Sequence, residues 1–175
     1  MFRVVTLAAA ALALFTISAH AADPALSNDA NAAYVKNYGA RKGVVTEPSG
    51  LEYRIIKSGF GARPGPTDSI TCYYKGSLIN GKVFDSTEPG FPANFVVNKL
   101  IPGWTEALQL MREGDHWELV IPPNLAYGPR GAGDGLIPPN QTLVFDMELV
   151  STKKAPPHKP EDDDQSSGGG GDSQQ

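Results

Sequence analysis

The sequence predicts an α+β domain in which an antiparallel sheet of five to six strands wraps one short helix. Three observations carry this expectation. Residues 100–114, LIPGWTEALQLMREG, hold the one clear helical periodicity of the central chain. Around them apolar residues recur with a period of two, the pattern of half-buried strands. Gly and Pro, 19 and 15 of the 175 residues, gather at the joints between these segments and in the tail. A lone helix among strands buries its apolar stripe only if the sheet closes over it.

Residues 1–22 read as a secretory leader. Arg3 supplies a positive start, Val4 to Ile17 is almost wholly apolar, and Ala19-His20-Ala21 fits the small-x-small cleavage rule. The apolar run is short for a membrane span of about 20 residues. The expectation is export, to a bacterial periplasm or outside the cell, with no stable membrane span after cleavage. Residues 23–43 form a short helical extension. Ser27 or Asn28 caps it, Ala30, Tyr34, Val35 and Tyr38 give a thin apolar stripe, and Gly43 ends it. Alone it is too short to be stable, so it docks on the domain or pairs with a second copy.

The central domain spans 44–152. Leu51, Tyr53 and Ile55 alternate in a first strand, and Ile70, Cys72 and Tyr74 in a second. Asn80-Gly81 is a hairpin turn that returns the chain through Lys82 to Phe84. Phe95 to Val97 is a short strand. Pro102 then opens the helix, with Trp104, Ala107, Leu108 and Met111 on one face, Arg112 near its C-terminal end and Gly114 as a left-handed stop. Residues His116 to Ile121 make another strand, closed by Pro122-Pro123. Residues 124–140 form a long Gly/Pro-rich loop, of a length that is usually functional. Leu143, Phe145, Met147 and Leu149 mark the last strand. Residues 153–175, rich in Pro, acid, Ser and Gly, read as a disordered tail.

Composition narrows the chemistry. A formal net charge of −4 with no basic run argues against nucleic acid as a partner. The single Cys72 cannot make an internal disulfide, and three scattered histidines make no metal site. No nucleophile elbow, zincin helix or phosphate loop is present. No cofactor is expected. What remains is a stock of aromatics near turns and strand ends: Tyr74, Phe84, Trp104, Tyr127 and Phe145. Each alone reads as packing. Tyr127 is the exception, because it lies in a loop between Gly and Pro.

The motifs VFDS (83–86), IPGW (101–104), AYG (126–128), LIPP (136–139) and TLVFDMEL (142–149) resemble, in order and spacing, the FKBP-type peptidyl-prolyl cis-trans isomerases. The lead-in GVVTEPSGLEYRII (43–56) resembles the exported, Mip-like branch. The resemblance implies a half-barrel sheet around one helix and an apolar pocket for a proline ring. Trp104 is then the floor, Tyr74, Phe84 and Phe145 the walls, and Leu100 and Ile101 the rim. The Ile101 backbone N–H and the Tyr127 hydroxyl donate to substrate carbonyls, Asp85 is the polar partner of Tyr74, and Ile137 edges the loop over the site. Implied partners are proline-containing polypeptides and the macrolide inhibitors of the family. Ala93 stands where many members carry an aromatic wall, which implies a more open side. The branch often dimerises through a long N-terminal helix; 23–43 is too short for most of it, so a monomer or weak dimer is expected. The alternative reading is a binding or chaperone module that keeps the fold with little catalysis.

Overall fold

The computed structural model describes residues 23–156. The leader expected at 1–22 and residues 157–175 of the expected tail lie outside the described residues. In chain order the elements are α1 (Asn28–Gly39), β1 (Val44–Thr46), β2 (Glu52–Lys57), β3 (Ser69–Leu78), β4 (Val83–Ser86), β5 (Ala93–Val96), α2 (Pro102–Leu110), β6 (His116–Ile121) and β7 (Leu143–Lys153). The strands form one antiparallel sheet ordered β1-β2-β6-β7-β3-β4. Strand β5 also pairs with β3, through Ser69 to Cys72, while β4 takes Lys75 to Ser77. The sheet has seven strands, more than the five to six expected. Strand β1 is the addition: three residues are too few to display an alternation.

Helix α2 packs on the inner face. Trp104, Ala107, Leu108 and Met111 join Trp117, Leu119 and Ile121 of β6 and Leu143, Phe145, Met147 and Leu149 of β7 in one core. The approach is close: a Cβ added at Gly103 would lie 2.5 Å from Ile121 Cγ2. Cys72 is fully buried in this core, as expected, and burial pushes its thiol up to about 12.

The helix is a turn shorter than the periodicity predicts. It ends at Leu110, and Met111 is already extended. Asp115 is the reason. One of its carboxylate oxygens accepts from Arg112 N–H (2.6 Å) and the other from Gly59 N–H (2.5 Å). A side chain that takes a backbone donor out of the helical ladder stops the ladder. Gly114, at φ +89°, serves this turn and does not cap the helix.

Helix α1 forms where expected. Ser27 caps it, accepting from Ala30 N–H. It ends at Gly39, four residues before Gly43. It docks on its own domain: Tyr38 is fully buried, and its hydroxyl donates to Glu118 Oε1 (2.9 Å), which also meets Arg54 (3.3 Å). Strand β2 is therefore covered on both faces at its start, which explains why Glu52 is buried beside Leu51 and Tyr53. No helix among the described residues is long and apolar enough to cross a membrane.

The ordered chain also runs past the predicted start of the tail. Strand β7 includes Lys153, and Lys154 Nζ donates to Asp68 Oδ2 (2.8 Å). Gly65 and Ala155 backbone N–H groups donate to the same carboxylate at 2.7 and 3.0 Å. Led by the Lys154 bond, these donors hold the Asp68 carboxyl down at about 2. A carboxyl depressed on folding stabilises above its unfolded value and loses that contribution as pH falls through its folded one. The urea midpoint should therefore drop between about pH 4 and pH 2, and Asp68→Asn should flatten that part of the profile. An unaltered slope in Asp68→Asn contradicts the assignment.

Candidate functional site

The site grows from the N-terminus of α2. Pro102 opens the helix, and the Ile101 carbonyl accepts from Trp104 and Thr105 N–H, both at 3.0 Å. Thr105 Oγ1 donates to the Val97 carbonyl (2.9 Å), tying the preceding one-turn segment to the helix. This fixes Leu100 and Ile101 at the mouth. The Ile101 backbone N–H finds no acceptor among the described residues.

Trp104, 4 % exposed, is the hub of an aromatic cluster. It meets Tyr74 and Phe145 edge-to-face at 5.1 Å between ring centres, and Phe95 at 5.7 Å. Phe84 meets Phe145 the same way at 5.6 Å. Such T-shaped pairs set a ring's positive edge against its neighbour's negative face. Gly76 makes room for them. It lies between Asp85 of β4 and Phe145 of β7 in the ladder, and a Cβ there would fall 2.6 Å from both Phe84 Cζ and Phe145 Cε1.

The rings enclose an apolar hollow of about 270 Å³. Tyr74, Phe84, Asp85, Leu100, Ile101, Trp104, Tyr127 and Phe145 all line it. Ile137 does not. It is 6 % exposed, packs into the core, and exchanges backbone hydrogen bonds with Ala132. Two lining residues went unrecognised, Phe95 and Lys99. Phe95 shares a strand face with Ala93, two residues earlier, so its alternation was a usable signal. Its ring stands against Trp104 and Tyr74 and adds a wall to the hollow. Nothing in the local pattern marks Lys99.

Polar groups in the hollow are few. Tyr74 donates its hydroxyl to Asp85 Oδ2 at 2.6 Å. Burial, then the bond to Asp85, pushes the Tyr74 hydroxyl well above the usual tyrosine range, so it stays a protonated donor. Tyr127, 39 % exposed in the loop, is raised in the same direction by burial and by the Asp85 charge. Trp104 Nε1 is buried with no partner among the described residues. Among the described residues no group of His, Cys, Asp and Glu is arranged to hold a metal. The arrangement offers a ring-lined apolar surface, with the Tyr127 hydroxyl and the Ile101 N–H uncommitted among the described residues.

The comparisons agree with this geometry. Residues 61–150 match the family model described as FKBP-type peptidyl-prolyl cis-trans isomerase. An outer membrane protein MIP of Legionella longbeachae is 56 % identical over 117 residues, 66 % of this chain and 50 % of that protein. An FKBP-type 22 kDa peptidyl-prolyl cis-trans isomerase of Escherichia coli is 52 % identical over 118 residues, 67 % of this chain and 57 % of that one. The crystal structure of FkpA from Escherichia coli superposes with a TM-score of 0.70 at 44 % identity, covering 74 % of this chain and 61 % of that one. The chain spans about half the length of the curated relatives it matches.

Because the Cβ position at Gly76 is filled by two rings, Gly76→Ala should force Phe84 and Phe145 apart. The expected loss is about 1–3 kcal/mol of stability, as for overpacked cores, with a shift in Trp104 fluorescence. Urea titration with tryptophan emission reads both; an unchanged midpoint and spectrum contradict the packing described.

Proposed function

The chain belongs to the FKBP-type peptidyl-prolyl cis-trans isomerases, and we propose that it catalyses cis–trans rotation of X–Pro peptide bonds in exported polypeptides. The observation that carries this is the aromatic hollow built on Trp104, whose walls are the rings of Tyr74, Phe84, Phe95 and Phe145. Rotation about X–Pro breaks no sigma bond. Its barrier, about 20 kcal/mol, is lost amide resonance. The planar amide is more polar than the twisted one, so water favours the ground state, and a dry site removes that advantage. An acceleration of about ten-thousandfold requires only about 5.5 kcal/mol.

The proline ring lies on Trp104 between Tyr74, Phe84, Phe95 and Phe145. The Ile101 N–H and the Tyr127 hydroxyl donate to substrate carbonyls in the twisted geometry and stabilise it differentially. Asp85 orients Tyr74 and removes no proton, because the reaction moves none. Macrolides of the kind that inhibit the family occupy the same hollow. A leader at 1–22 directs the chain to the periplasm or the exterior. The chain acts as a monomer or weak dimer, since α1 commits its buried residues to its own domain.

Tyr127→Phe and Phe145→Leu should each lower kcat/KM in a protease-coupled X–Pro peptide assay. The expected loss is roughly tenfold or more, because Tyr127→Phe removes a donor to the twisted geometry and Phe145→Leu opens the apolar wall to water, and circular dichroism should be unchanged. Undiminished turnover in both variants contradicts the assigned hollow. A folded wild type without turnover leaves a binding module instead.

A further inference from the structure

We propose that Asn31 of α1 is a positioning residue for the substrate hollow. Through residues 141 and 142 it holds the loop that carries Tyr127 and the start of the strand that carries Phe145. Its kinetic test rests on the isomerase reading; its structural basis does not.

Asn31 is 3 % exposed, a buried amide on a helix whose other docking residue is aromatic. Its Oδ1 accepts from Thr142 N–H at 2.7 Å, a tie between residues 111 apart in sequence. Its Nδ2 donates to the Ser27 and Leu26 carbonyls (2.9 and 3.2 Å) and to Gln141 Oε1 (3.2 Å). Gln141, 4 % exposed, donates in turn to the Leu26 and Pro139 carbonyls, each at 3.0 Å. Both amides are therefore satisfied on both ends. Satisfied buried networks of this kind rigidify what they join, whereas half-satisfied ones destabilise.

What they join is the closure of the 124–140 loop. Asn140, at φ +58°, donates its backbone N–H to the Gly128 carbonyl at 2.8 Å, one residue past Tyr127. A non-glycine residue keeps such a backbone only where its surroundings over-determine it. On the other side of the tie, Leu143 enters the ladder against Leu78 and Ile121, and Phe145 follows two residues later. Tyr127 and Phe145, rings from opposite ends of this segment, thus take their spacing from residues 140–143, and Asn31 is the side chain that fixes residue 142 from behind. An anchor for α1 alone would be served by an apolar residue; the acceptor aimed at Thr142 N–H is what the loop requires.

The test uses the full chain as wild type, Asn31→Leu and Asn31→Asp. Leucine keeps the number and branching of the side-chain heavy atoms, adds some bulk, and removes every hydrogen bond. Aspartate keeps the acceptor for Thr142 N–H and loses the donors to the Leu26 and Ser27 carbonyls and to Gln141 Oε1. Asn31→Leu should lower kcat/KM for a short X–Pro peptide by about tenfold, within the hundredfold that a 1 Å misplacement produces, and speed amide exchange across 124–142. Asn31→Asp should recover kcat/KM to within about twofold of wild type while still lowering the urea midpoint. Turnover unchanged in Asn31→Leu, or lost equally in both variants, overturns the positioning role. If Asn31→Leu does not fold, Asn31→Ala removes the same hydrogen bonds without added bulk and carries the same expectations. A wild type without turnover fails the isomerase reading alone, and the exchange comparison then decides whether Asn31 holds the loop.

Discussion

The closeness of α2 to the sheet is the constraint from which the rest follows. Gly103 lets the helix lie against Ile121, and the first turn then carries Trp104 into the end of the core with a face left over. Rings from β3, β4, β5 and β7 surround that face, so the site is the unfilled end of the same core that stabilises the fold. Folding and function draw on one set of contacts. A protein interior is otherwise packed to crystal density, and an apolar hollow is retained only at some loss of stability.

The polar economy of the hollow follows from the same constraint. Tyr74 has a partner in Asp85 and is held protonated; Tyr127 and the Ile101 N–H are not committed within the described residues. Donors without acceptors at the rim of an apolar cavity are poised for carbonyl groups brought by a ligand. A site that accelerates a rotation needs that arrangement and little else, because the barrier is electronic and its relief requires no group to accept a proton.

Much of this was legible in the sequence because it is written in short periods. The alternation in β7, the Asn80-Gly81 turn and the stripe of α2 each occupy fewer than a dozen residues, and each found its place in the fold. The resemblance named eight residues that line the hollow, seven of them within 83–149 and Tyr74 ahead of that stretch. What was hidden depends on partners far away in the chain. The helix stops at Leu110 because Asp115 competes for a backbone donor, and β7 runs on to Lys153, with Lys154 beyond it held by Asp68. Nothing local marks Asn31, since its partners Thr142 and Gln141 lie more than a hundred residues away. Ile137 was placed over the site by motif adjacency alone, whereas its backbone pairing with Ala132 turns it into the core. Phe95 was within reach of simple alternation.

The most direct test of catalysis by desolvation and hydrogen bonding, with no proton in flight, is the solvent isotope effect on kcat/KM of the wild-type chain with an X–Pro peptide. The account predicts a ratio in H₂O against D₂O of about 1, flat from about pH 6 to 9. A ratio of about 2 or more, or a bell-shaped pH profile, would mean that a group in the hollow transfers a proton in the rate-limiting step, and would contradict it.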